Sequence, residues 1–91
     1  MDHIRSKIVL LSRGGETRLK ILKALNNSEF GLLNTNQISN RIGMEWGTVK
    51  YEIELLKREG LIEEVKTDHK RTKFYRLTEN CKQLLKKTST S

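Results

Sequence analysis

Apolar residues recur at helical spacing through the middle of the chain. Ile38 and Ile42 lie four residues apart, and Val49, Ile53 and Leu56 follow one another at intervals of four and three. Each group forms one stripe along a helix, because side chains at these spacings share a face. A glycine separates the two stripes, so the pattern predicts a short helix, a tight turn and a longer helix, which together make a helix-turn-helix.

Residues at the predicted helix ends support this interpretation. Thr35 is placed to cap the N-terminus of the shorter helix, and Gly43 is placed to end it. Gly60 closes the longer helix before the apolar pair Leu61 and Ile62. The shorter helix is therefore expected to cover residues 35 to 42, and the longer helix is expected to end at residue 59.

Further elements are predicted before this unit. A helix from about Glu16 to Asn26 has leucines at positions 19, 22 and 25 on its apolar face. Residues 30–33 can form a very short strand. The apolar run from Ile8 to Leu11 fits either a short strand or a helix, because periodicity does not distinguish the two over four residues.

The segment after the helix-turn-helix predicts a β-hairpin and a final helix. Residues 61–65 and 73–77 have the composition of strands, and the polar residues between them form the turn. Thr78 is placed to cap a helix that runs to about Lys87. The predicted fold is mainly α with a small β-hairpin: a winged helix-turn-helix with a three-helix core, a wing formed by the hairpin, and a C-terminal helix.

The predicted winged helix domain, residues 16–77, is flanked by an N-terminal segment, 1–15, and by the terminal helix with its tail, 78–91. Both flanks hold apolar side chains that lack an evident partner within the three-helix core. Pairing them across a twofold axis would bury them, and a chain of 91 residues gains stability from such burial. We therefore predict a homodimer whose interface contains Ile8, Val9, Leu10, Leu11, Leu84 and Leu85.

The charge of the chain favours a polyanionic partner. Lys and Arg number 18 against 11 Asp and Glu, which gives a formal net charge of +7 and a pI near 9.8. Residues 1–27 and 61–91 each carry +4, whereas residues 28–60 carry −1. Phosphate contacts are therefore expected mainly from the regions that flank the helix-turn-helix.

This sequence lacks the groups that several classes of protein would need. The single Cys81 cannot form an internal disulfide, and the absence of an N-terminal leader pattern favours the cytoplasm. No stretch approaches the roughly 20 apolar residues that cross a bilayer. His3 and His69 are far apart, and neither a nucleophile–base pair nor a phosphate-binding glycine loop nor about four zinc ligands can be found. We expect no catalysis, cofactor, metal or membrane insertion.

Three stretches carry a family resemblance. Residues 16–25, 36–62 and 71–85 match, respectively, a first core helix, a helix-turn-helix with the glycine before the wing, and an outgoing wing strand with a terminal helix. In these stretches the chain resembles the archaeal and bacterial winged helix regulators of the ArsR-like kind. The resemblance implies a DNA-binding transcriptional regulator that acts as a homodimer. Some members bind metals through paired cysteines or through histidine and carboxylate sets, and this sequence departs from that pattern.

The exposed side of the longer helix, which we call the recognition helix, supplies candidate DNA contacts. Lys50 can reach guanine acceptors or a phosphate, and Glu54 can accept from a cytosine amino group or remain in solvent. Thr48 can bond to a base edge. For Trp46, packing in the core or beneath the turn is favoured over a contact with the DNA backbone, and the Tyr51 hydroxyl is expected to meet a phosphate.

The tip of the wing is strongly basic. Residues 66–73 contain three lysines, one arginine and one histidine against a single aspartate. Arg71 is the best single candidate for a minor-groove contact, because guanidinium groups favour narrow, electronegative grooves. The predicted DNA-binding residues are Trp46, Gly47, Thr48, Lys50, Tyr51 and Glu54 on the recognition helix, Asn36, Gln37 and Arg41 on the preceding helix, and His69, Lys70, Arg71 and Lys73 on the wing.

Three functions are compatible with these features. A dimeric, sequence-specific DNA-binding regulator is the leading hypothesis, with double-stranded DNA as its partner. A non-specific architectural DNA-binding protein is the second, because the centre of the recognition unit is slightly acidic while the whole chain is basic. The third is a winged helix that serves as a protein-interaction module and does not bind DNA.

Overall fold

Helices and short strands follow one another in the order that the sequence predicts. The computed structural model describes residues 15–67 and 71–89. Within these ranges, no helix has both the length and the apolar character needed to cross a bilayer. The elements are α1 (Gly15–Asn26), β1 (Leu33–Asn34), α2 (Thr35–Ile42), α3 (Trp46–Arg58), β2 (Ile62–Val65), β3 (Phe74–Leu77) and α4 (Glu79–Ser89).

Helix α2 begins with a capping box that differs from the predicted cap. The Asn34 side chain accepts the Gln37 backbone N–H at 2.8 Å, and the Gln37 side chain accepts the Asn34 N–H at 2.9 Å. The prediction that Thr35 caps the helix is therefore wrong by one residue. Asn34 ends strand β1 with extended backbone, as a cap requires, so Thr35 becomes the first helical residue.

Two of the predicted helix ends are confirmed. Gly43 follows α2 with φ 67°, in the left-handed region that glycine adopts without a Cβ clash, and its N–H donates to the Ser39 carbonyl. Thr78 caps α4, because its hydroxyl oxygen accepts the Cys81 N–H at 3.2 Å. The same hydroxyl donates to the Gly60 carbonyl at 2.7 Å, which joins the start of α4 to the turn after α3.

The wing belongs to a three-stranded antiparallel sheet in the order β1-β3-β2. The two wing strands lie within one residue of the predicted bounds and pair from Ile62 with Leu77 to Val65 with Phe74. The predicted strand at residues 30–33 shifts to Leu33–Asn34, where Leu33 pairs with Tyr75. The short strand β1 therefore joins the start of α2 to the first two residues of β3, Phe74 and Tyr75.

The core lies where the three helices meet the sheet. Val49, Ile53 and Leu56 are fully buried, which confirms the predicted stripe of the recognition helix, α3. Cys81 and Leu84 extend this core from α4, and Leu84 is only 2% exposed. The expectation that Leu84 lacks a partner within the chain is therefore wrong, because α4 packs on the same core. The members of the core are Ile21, Leu22, Leu25, Leu33, Ile38, Val49, Ile53, Leu56, Leu61, Ile62, Tyr75, Leu77, Cys81 and Leu84.

Candidate nucleic-acid interface

The side of α3 opposite the core is open to solvent. Gly47, Thr48 and Glu54 are exposed, and Tyr51 is 68% exposed. A Cβ added at Gly47 would meet no other atom within 4 Å, so internal packing does not require glycine there. The first turns of α3 therefore present a solvent-exposed surface that can enter a major groove.

Trp46 takes a different position from the one predicted. Its side chain is 50% exposed, so packing in the core or beneath the turn, which the sequence favoured, is not what the structure shows. Trp46 is the first residue of α3, one turn before the first fully buried position, Val49. At that place the indole borders a groove instead of the core.

This groove brings together the start of α2, the start of α3 and the returning side of the wing. Its volume is about 340 Å³. Asn36, Trp46 and Lys50 meet Arg71 and Lys73 of the wing there, although the two groups are more than 20 positions apart in the sequence. We call it the wing groove; it is lined by Asn34, Thr35, Asn36, Trp46, Lys50, Arg71, Thr72, Lys73 and Tyr75.

Lys50 is positioned inside this groove by side chains of its own helix and of the wing. Its Nζ donates to the Tyr75 hydroxyl at 3.3 Å and lies 3.5 Å from a Glu54 carboxylate oxygen. The ammonium also lies 5.9 Å from the centre of the Tyr75 ring, within cation–π range. Burial lowers the pKa of Lys50, but the bonds and charges of Tyr75 and Glu54 outweigh it and raise the pKa overall. The ammonium therefore stays charged where DNA would approach.

The pairing of Tyr75 with Lys50 could not be predicted from the sequence. In the sequence Tyr75 resembles any aromatic residue of a strand. In the structure it is fully buried, and its hydroxyl and ring both lie within reach of the Lys50 ammonium. The contact depends on how α3 is placed beside the wing sheet. That placement brings together positions 25 residues apart, and local periodicity carries no information about it.

A buried ion pair fixes α3 against α1. Arg18 Nε donates to a Glu52 carboxylate oxygen at 2.9 Å, and the two side chains are 10% and 8% exposed. Sequence reasoning missed this pair, although a signal was present. Arg18 precedes Leu22 by four positions and Glu52 precedes Leu56 by four, so both charged residues lie on the core-facing stripes.

Several predicted contact residues lie apart from the wing groove. Gln37 is engaged in the capping box of α2. Arg41 borders a second surface depression, of about 450 Å³, together with Lys20 and Lys23 of α1. The predicted contacts His69 and Lys70, and the apolar run Ile8, Val9, Leu10 and Leu11, lie outside the described residues. Leu85 is half-buried against the core.

Among residues 15–67 and 71–89, no group of three or more His, Cys, Asp or Glu side chains is arranged to hold a metal ion. Cys81 is fully buried in the core, as expected for a small apolar residue. Burial raises the pKa of its thiol to about 11. At neutral pH the side chain therefore remains a neutral thiol.

The sequence and the fold both resemble those of known transcriptional regulators. The family model of the bacterial regulatory proteins of the arsR family matches residues 15–64. A MarR family transcriptional regulator from Silicibacter pomeroyi superposes with a TM-score of 0.75 at 24% identity, over 92% of this chain and 56% of that one. No curated protein matches the chain.

Two similar solved structures contain DNA. A mutant MarR from E. coli complexed with operator DNA has a TM-score of 0.71 at 14% identity, over 78% of this chain and 50% of that one. The M. tuberculosis transcriptional regulator MOSR in complex with DNA has a TM-score of 0.67 at 25% identity, over 78% and 50%. The chain thus spans about half the length of these structures.

Proposed function

The chain belongs to the arsR family of bacterial regulatory proteins, and from this premise we propose that it regulates transcription by binding double-stranded DNA as a homodimer. In this proposal α3 enters the major groove, and the wing contacts the adjacent backbone or minor groove. Two of the similar structures, one complexed with operator DNA and one with DNA, support the choice of ligand.

One observation carries the proposal: the wing groove places cations beside the open start of α3. Lys50, Arg71 and Lys73 line it together with the polar side chains of Asn36 and Thr72. Phosphate oxygens are bound by such a mixture of cationic and neutral donors, and these contacts set the register of a protein on its duplex. The exposed residues of α3 are then free to meet base edges.

Base contacts would come from the first turns of α3. Thr48 and Tyr51 are exposed on this surface, and Gly47 leaves room for a close approach of the helix backbone. A hydroxyl such as that of Thr48 can bond to several base edges, and a tyrosine hydroxyl commonly contacts a phosphate. Lys50 is already directed into the groove by Tyr75, so it reaches DNA without a large loss of side-chain freedom.

The homodimer is part of the proposal because it matches the symmetry of operators. Two copies of α3 about one DNA turn apart, roughly 34–36 Å, would contact the two halves of a near-palindromic site. The cytoplasm is the proposed compartment, and we propose no catalytic activity, because the matched family and fold are those of transcriptional regulators.

Selection of duplexes from a random library, followed by anisotropy titrations, tests this function. The wild type should bind a selected duplex far more tightly than a scrambled one. Arg71→Ala should weaken both and reduce the slope of log affinity against log salt by about one, the value for one lost phosphate contact. Arg76→Ala is the matched control, since it removes the same charge from β3, where Arg76 pairs with Glu63 at 2.9 Å.

The other outcomes separate the remaining hypotheses. Equal affinity for selected and scrambled duplexes would support the hypothesis of a non-specific architectural protein over that of a regulator. If the wild type binds neither duplex at low salt, the hypothesis of a protein-interaction module is the one that remains. If Arg76→Ala lowers the salt slope as much as Arg71→Ala, the wing groove is not where the phosphate binds.

A further inference from the structure

Glu54 lies between two lysines on one stripe of α3. Lys50, Glu54 and Lys57 are spaced by four and three, so their side chains share a face of the helix. A single carboxylate oxygen of Glu54 lies 3.5 Å from Lys50 Nζ and 3.8 Å from Lys57 Nζ. One anion therefore serves both cations.

Each lysine is also joined to a different strand of the wing. Lys50 donates to the Tyr75 hydroxyl on β3, and Lys57 donates to a Glu64 carboxylate on β2, both at 3.3 Å. The side chains of both lysines and of Glu64 are about one-third exposed, so they remain within reach of a ligand. The stripe thus faces the wing.

The carboxylates of Glu54 and Glu64 together lower the positive charge of this face. The other acidic residue of α3, Glu52, is buried against Arg18 and so does not act on solvent. The two lysines and the two glutamates carry a net charge of zero; without Glu54 they would carry +1. A DNA phosphate offers the same kind of anionic oxygen that Glu54 already supplies to both lysines.

We propose that Glu54 determines specificity by limiting non-specific binding, because its carboxylate competes with DNA phosphates for Lys50 and Lys57. This inference rests on the proposed function. A scrambled duplex offers chiefly phosphates, so it must exchange one anion for another and also meets the repulsion of Glu54. A matched duplex adds base contacts that offset this exchange. Glu54 therefore weakens binding to the wrong sequence more than binding to the right one.

A direct role for Glu54 in base recognition makes the opposite prediction. If its carboxylate accepted from a cytosine amino group, its loss would weaken the matched duplex and leave the scrambled one unchanged. Competition for the lysines predicts tighter binding to both duplexes, and a larger gain for the scrambled one. The two roles therefore differ in the sign of the change.

Glu54→Gln tests the competition, because it keeps the shape of the side chain and removes its charge. Glu29→Gln is the matched control; it removes the same charge from an exposed position in the loop between α1 and β1. Both variants are titrated by anisotropy against a selected and a scrambled duplex, from roughly 50 to 200 mM salt. Their thermal unfolding is compared with that of the wild type.

Glu54→Gln is expected to bind the scrambled duplex roughly fivefold more tightly than Glu29→Gln does at the lowest salt, with a salt slope steeper by about one. The ratio of selected to scrambled affinity should fall. In a Lys57→Gln background the effect of Glu54→Gln should shrink, because one of the two lysines that Glu54 contacts is then missing.

Two results would overturn the inference alone: identical behaviour of the Glu54→Gln and Glu29→Gln variants, or a loss of affinity for the selected duplex only. Absence of DNA binding by the wild type would instead remove the proposed function itself, and the inference with it. The selected-duplex titration of the wild type distinguishes these cases.

Discussion

At the scale of single residues, Gly47 is a position where the residue that is best for stability differs from the one that is best for binding DNA. It occupies the second position of α3, has ordinary helical backbone, and has no neighbour that a methyl group would touch. Glycine inside a helix costs stability relative to alanine, because its backbone loses more freedom on folding. Nothing within the described fold therefore explains why this position holds glycine.

We expect Gly47→Ala to stabilise the fold and weaken DNA binding. The free energy of unfolding should rise by up to about 0.5–1 kcal/mol, the difference between the two residues in a helix interior. The affinity for a selected duplex should fall, because the added methyl group holds the helix backbone away from the bases. Chemical denaturation and anisotropy titrations measure the two effects. Unchanged affinity in a stabilised variant would show that α3 does not approach DNA at this point.

The thiol of Cys81 makes the stability of the fold depend on pH in the alkaline range. Its pKa rises from 9.0 to about 11 on burial, so the folded state holds the proton more tightly than the unfolded state. The resulting stabilisation is complete below pH 9 and is lost as the pH rises through 11, to a total of about 3 kcal/mol.

Cys81→Val isolates this effect, since valine is apolar, similar in size and does not titrate. The wild type should lose stability relative to the variant between pH 9 and 11, as measured by urea denaturation at each pH. Other titrating groups are common to both proteins and cancel in the difference. A difference that stays constant over this range would refute the assignment to Cys81.

At the scale of secondary-structure elements, the Arg18–Glu52 pair determines how α3 is seated. Removing Arg18 leaves the Glu52 carboxylate as a buried charge, and breaking such a pair commonly costs about 3–5 kcal/mol. We therefore expect Arg18→Met to lower the unfolding midpoint in urea sharply. Combining Arg18→Met with Glu52→Leu should recover most of the loss, because apolar side chains can fill the same space. If Arg18→Met alone is neutral, the pair does not hold α1 against α3.

The accuracy of prediction from the sequence also differs between elements. The helix-turn-helix stripes and the wing strands could be predicted because their signals are local and periodic. The cap of α2 could not be assigned, since Asn34 and Thr35 are adjacent and both suit the role; the pairing of β1 with β3 decides between them. Burial of Leu84 likewise depends on where α4 docks.

The candidate interface was predictable in part for the same reason. The exposed side of α3 follows from its apolar stripe, so Gly47, Thr48 and Tyr51 could be placed on it in advance. The role of Tyr75 and the separate position of Arg41 depend on tertiary packing. The buried Arg18–Glu52 ion pair could have been predicted, because charged residues at core-facing helical positions are rarely left unpaired.

At the scale of the whole molecule, the proposed dimer is the feature that would set the spacing between two copies of α3. With Leu84 taken up by the core of its own chain, the partly buried Leu85 and the run from Ile8 to Leu11 remain as the proposed contacts. Sedimentation equilibrium should give twice the mass of the 10.6 kDa chain. A mass equal to one chain at high concentration would contradict the dimer. Leu85→Lys should dissociate the dimer, and its thermal unfolding measures how much stability is lost because Leu85 also packs against the core.

The sheet order β1-β3-β2 has a consequence for the DNA itself. β3 is paired on both sides at Phe74 and Tyr75, and β1 runs directly into the cap of α2. The wing strands therefore cannot swing relative to the helix-turn-helix without breaking strand pairs. A duplex whose groove width does not fit must itself deform. Flexible TA and CA/TG steps, and A-tracts with a narrow minor groove, lower the cost of that adjustment. We expect selected sites to favour such steps even at base pairs that no side chain touches.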